Sequence, residues 1–317
     1  MRHAPTFMAA AITTLALAAP ARAGTSSFDE VWDQIASDPY VALPHIPVTL
    51  DAFYQNWHDH LTDAAKRTLA VTDDLLPRFD KLLHPNGICL RGTWHIDATT
   101  PYTGYFATGS RGLFIGRAST ALTPVRRGEY RAFGFAGKIF PTLDPDAPVT
   151  TGNFFAIDDL GGTLTDHFLD APLTNDIIHI TIHPSSVFQG PLATAVVRSF
   201  LIADQTLDVT QTLIRQLYPV STLGVSDPRQ AVTPTWLKIT GAADVARVDR
   251  DDFRDELQLA NYPDGLAFEI WAADKGSRLG SKDWHLIGRI DVDATVASDS
   301  CDHRLHFPHP PYRQQQP

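Results

Sequence analysis

Three stretches decide the fold: Gly112-Leu-Phe-Ile-Gly-Arg-Ala-Ser119, Ala132-Phe-Gly-Phe-Ala-Gly-Lys-Ile-Phe140 and Asn153-Phe-Phe-Ala-Ile157. Each is a short apolar run, rich in aromatic and β-branched residues and bounded by glycine, proline or polar residues, the signature of a strand. The same texture begins at Gly87 and returns at Thr235–Thr240, Leu266–Ala273 and His285–Val292. Two segments read differently. From Asp29 to about Leu83 apolar residues recur at three- and four-residue steps, as in Phe53, Trp57, Leu61, Ala64 and Ala65, which predicts a helical arm. A second helical stretch is expected from Leu192 to Leu217, inserted between strands. Strands without regular βα alternation predict an α+β domain on one antiparallel sheet, curved or closed.

The ends of the chain read as processing signal and tail. Arg2 and His3 precede an apolar run from Met8 to Ala19 and then Pro20-Ala-Arg-Ala23, which predicts a signal peptide over residues 1–23 and a periplasmic or secreted protein. That run is too short to span a bilayer, so no membrane span is expected. Residues 24–307 are expected to form a single domain, and the Pro- and Gln-rich segment 308–317 a disordered tail. Beyond Ala23 the chain carries 24 basic and 36 acidic residues, which argues against a nucleic-acid partner. Cys89 and Cys301 are too few for a structural zinc cluster, and in an oxidising compartment they are expected to pair.

The residues that could carry chemistry lie at the edges of these strands. In Lys81-Leu-Leu-His84-Pro-Asn-Gly87-Ile-Cys-Leu-Arg-Gly92, a histidine is followed by glycines three and eight positions on. Gly116-Arg117-Ala-Ser119-Thr120, Gly134-Phe-Ala-Gly-Lys138-Ile-Phe140 and Asn153-Phe154-Phe155-Ala-Ile-Asp158 follow. After the second helical stretch come Asn261-Tyr262-Pro263, the segment from Trp284, and Leu305-His306-Phe307. Taken in order, these strings resemble segments of the haem catalase superfamily.

That resemblance implies a catalase-like antiparallel β-barrel and a haem cofactor. His84 would be the distal acid–base residue, with Ser119 fixing its tautomer. Arg117 and Lys81 would meet the haem propionates, and Phe154 would join the cofactor-binding residues. The expected arrangement is a cavity inside the barrel on which His84, Ser119 and Arg117 converge. Several positions depart from the pattern. The distal asparagine falls on Val149, about 13 Å along a strand from Asn153. The haem-stacking phenylalanine falls on Gly162, and the sequence ends before the family's iron-binding tyrosine. Tyr312 lacks the accompanying arginine, and His306 and His309 are the nearest imidazoles, so the metal ligand is unidentified.

Two readings follow. The resemblance points first to a haem protein with peroxide or hydroperoxide chemistry of the peroxidase type. The alternative is a non-enzymatic barrel that has lost haem and binds a small apolar ligand or a protein partner. Other signals are weaker: His58 and His60 diverge on a helix, His179 and His183 are too far apart on a strand to share a metal, and no serine-hydrolase, zincin or P-loop motif occurs.

Overall fold

Phe28, Val31, Trp32 and Ile35 recur along one face of the first helix, α1 (Phe28–Ala36), and all four are buried. Ser27 caps it by accepting from the Glu30 amide, and Asp29 and Glu30 favour the positive end of its dipole. In the computed structural model the described residues are 26–39, 74–75, 84–120, 126–127, 131, 133–149, 151–158, 166–174, 232, 234–274 and 282–307. The expected helical arm is not continuous, because α1 stops before Pro39, which bridges to Ser298, and Leu75 bridges to Leu305. The signal segment, Lys81, Gly162, the Leu192–Leu217 stretch and the tail fall outside the described residues.

Eight strands close into an antiparallel barrel in sequence order: β1 (Gly87–Ile96), β2 (Arg111–Thr120), β3 (Phe133–Phe140), β4 (Gly152–Ile157), β5 (Leu173–Thr174), β6 (Trp236–Gly241), β7 (Leu266–Ala273) and β8 (His285–Val296). β8 pairs back onto β1, so no strand edge is left open. The antiparallel α+β expectation holds. Two short α-helices, α2 (Phe253–Glu256) and α3 (Asp299–His303), and three single 3-10 turns complete the described elements. Among the described residues no helix is long and apolar enough to cross a membrane.

The interior is filled rather than hollow. Trp94, Phe114, Phe135 and Phe154 meet at centroid distances of 5.8 to 6.4 Å, and Phe133, Phe168 and Phe253 plug one end of the barrel. Each such ring contributes about 1.5–3 kcal/mol through burial. On the outer face of β1, β2 and β3 a second apolar cluster joins α1 to Cys89, Ile115, Phe140, Cys301 and Leu305. Cys89 and Cys301 form a disulfide, as expected, with Cα atoms 5.9 Å apart, and it fastens α3 to β1.

Candidate functional site

His84 is the one described non-glycine residue with positive φ, at 60°. That conformation is sterically costly for a side-chain-bearing residue and persists only where surrounding contacts over-determine it. Those contacts are visible. The imidazole lies where a Cβ on residue 134 would stand, so Gly134 is required beneath it. Phe155 meets the ring edge-on at 5.2 Å. Ser119 Oγ lies 3.0 Å from Nδ1 and donates its single proton to the Gly134 carbonyl at 3.3 Å. Oγ therefore accepts from Nδ1–H, which assigns Nε2 as an unprotonated acceptor, and no described residue bonds it. Burial, with the nearby Arg117 charge second, pushes the imidazole pKa down to about 3, so it is neutral at ordinary pH.

Ser119 and His84 are brought together, but not inside the barrel. Successive strand residues face opposite sides. Ala118, Phe133, Phe135 and Phe154 belong to the interior cluster, so Ser119, Gly134 and Phe155 face outward. The expected interior cavity is thus replaced by a site on the outer wall. Phe154 lies across the sheet from it, packed against Trp94, Phe114 and Phe135, and the ring that touches His84 is Phe155.

Arg117 also faces outward, but its guanidinium is engaged. Nη2 donates to Asp302 Oδ1 at 2.5 Å and to the Pro85 carbonyl at 3.2 Å, and the two charged side chains are only 3% and 2% exposed. Asp302 was not legible as a partner from its local sequence. The signal that could have found it is the disulfide: Cys89 stands opposite Arg117 in register, so joining Cys301 to Cys89 delivers the next residue, Asp302, to that guanidinium.

A second buried charge lies further along the same face. Lys138, fully buried, donates to Asp74 Oδ1 at 2.5 Å and Asn153 Oδ1 at 2.9 Å and lies 5.4 Å from the Phe307 ring. Burial lowers its pKa, and the Asp74 carboxylate opposes the shift. Asn153 is therefore part of this cluster, and Val149 packs beside the outer apolar cluster. The His306 backbone amide donates to the Asp74 carbonyl at 3.0 Å. Among the described residues no group of three or more His, Cys, Asp or Glu is arranged to hold a metal ion.

These residues do not fit a haem held as the resemblance implies. The guanidinium assigned to a propionate already binds a carboxylate of the same chain, and Phe154 faces the wrong side of the sheet.

The sequence matches no protein-family model and no curated protein. Among solved structures the chain is similar to a bacterial catalase at 13% identity and a TM-score of 0.36, covering 81% of this chain and 54% of that one. Catalase A from Saccharomyces cerevisiae gives 13% and 0.33, with coverages of 81% and 58%, and a fungal catalase gives 12% and 0.35, with 81% and 56%. The chain thus spans little more than half the length of these catalases.

Proposed function

We propose that this protein is an exported barrel that acts by binding, with the His84–Ser119 pair presenting a neutral acceptor to a small, uncharged, largely apolar molecule that carries one hydrogen-bond donor. The observation that carries this reading is the buried Arg117–Asp302 pair, in which the guanidinium nearest His84 is already matched by a carboxylate of the same chain. The imidazole supports it, because a group that holds its proton only below about pH 3 is a poor acid–base catalyst near neutrality, yet its Nε2 can accept a hydrogen bond. Phe155 supplies an apolar wall beside it. The disulfide is of the kind formed in an oxidising compartment, in keeping with export.

A second reading, haem-dependent peroxide or hydroperoxide chemistry, is favoured by the 3.0 Å His84–Ser119 contact. One experiment separates the two. The purified protein is titrated with haem while its absorption spectrum and peroxide consumption are recorded, for wild type and His84→Ala. The binding reading expects peroxide consumption no greater than that of free haem and the same in both proteins. Haem uptake with turnover that falls by about 10² or more in His84→Ala would instead establish the second reading.

A further inference from the structure

The plugged end of the barrel holds a carboxyl group that the His84 site does not use. Glu256, at the end of α2, is fully buried. Its Oε2 accepts from the Phe168 amide at 3.2 Å, and the Leu169 amide bonds the same carboxyl group. It thereby pins the 3-10 turn Phe168–Asp170, whose Phe168 ring stacks on Phe253 at 5.9 Å and meets Phe133 at 4.9 Å. Its other oxygen, Oε1, is buried with no hydrogen-bond partner, and the nearby Tyr262 hydroxyl and His167 Nδ1 are likewise buried and unpartnered. A buried ionised carboxylate with one oxygen unsatisfied is costly, whereas the neutral acid is tolerated.

We propose that Glu256 is a proton-operated latch: protonated, it holds the Phe168 turn in the barrel end, and ionised, it loosens that turn and admits water to the aromatic plug. The groups facing it come from each element packed around it. Arg131 and Arg127 favour the ionised form and Asp170 opposes it, while the Tyr262 phenol is itself pushed up by burial and then by the Glu256 charge. His167 Nδ1 stands 3.9 Å from Oε2, near enough to pair when protonated. Burial outweighs the two amide bonds and the arginines, and the carboxyl pKa is raised from 4.5 to about 7. A raised carboxyl pKa stabilises the closed turn at low pH, and that stability is lost as pH rises from about 4.5 to 7. The latch is independent of the binding reading for His84.

Hydrogen exchange of the intact protein followed by mass spectrometry tests it. After correction for the intrinsic rate, opening of segments 166–171 and 252–257 should rise on the order of 50-fold between pH 5 and pH 8. In Glu256→Gln, which keeps the shape and the amide acceptor, the same segments should show no such rise. A 13C titration of the wild-type carboxyl, which needs no variant, should show a midpoint near 7. A midpoint near 4.5, a flat wild-type exchange profile, or the same pH slope in Glu256→Gln would each overturn the latch.

Discussion

Asp302→Ala isolates what a closed charge pair contributes on the outer wall of this barrel. The substitution removes the carboxylate 2.5 Å from Arg117 Nη2 and leaves a guanidinium that is 3% exposed, bonded to the Pro85 carbonyl. Its Nε is already buried without an acceptor, and among the described residues no other carboxylate forms an ion pair with it. Leaving one member of a buried pair uncompensated costs about 3–5 kcal/mol. Asp244→Ala is the internal control. It breaks the bidentate pair with Arg289 at 3.0 and 3.1 Å, where the side chains are 66% and 32% exposed. Solvent screening makes that loss much the smaller of the two. Urea unfolding of the oxidised protein at pH 7, analysed at constant m-value, measures both, and Asp302→Ala should also lower Tm by roughly 10 °C. Replacing both partners with apolar residues, as in Arg117→Met with Asp302→Leu, should recover most of the loss. A loss in Asp302→Ala no larger than that in Asp244→Ala would refute the assignment of Arg117 as a sealed charge paired within the chain.

Removing the disulfide in Cys89→Ala/Cys301→Ala, which releases a cross-link between residues 212 apart, should destabilise the protein by about 2–5 kcal/mol in the same assay. Because folded His84 stays neutral down to about pH 3 while the unfolded imidazole takes a proton near 6.5, stability should fall by about 3 kcal/mol between pH 7 and pH 4 on its account. Urea midpoints for His84→Gln across that range should show a correspondingly shallower acid limb, and parallel curves would contradict it. Gly134→Ala places a methyl group in the imidazole's position and should displace the ring, so its histidine pKa, read by NMR, should move back toward 6.5.

Much of the scaffold was legible because strand formation is local. The runs at Leu266–Ala273 and Gly112–Ser119 match β7 and the core of β2, and β-branched and aromatic residues between turn formers leave few alternatives. The two-residue β5 had no such signal, since Leu173–Thr174 joins the sheet only through pairing with β4 and β6. The proximity of His84 to Ser119 followed from register, because Gly87 pairs with Ser119 and His84 lies three residues earlier.

The sequence by itself determined most of the strands and their order and, with only two cysteines, the one disulfide this chain can form within itself, while the pairing of an imidazole with a hydroxyl was implied by the family resemblance. Only the tertiary structure decided which face is inside. A period of two tells inside from outside when one face is wet, but every residue of β3 is buried, because aromatic rings fill the interior while α1, α3 and the buried charges cover the wall outside. Sequence pattern therefore could not distinguish Phe154 from Phe155. Nor could it bring Asp302 to Arg117 or Asp74 to Lys138, since those partners are 185 and 64 residues apart and meet through barrel closure and chain packing, not through any local preference.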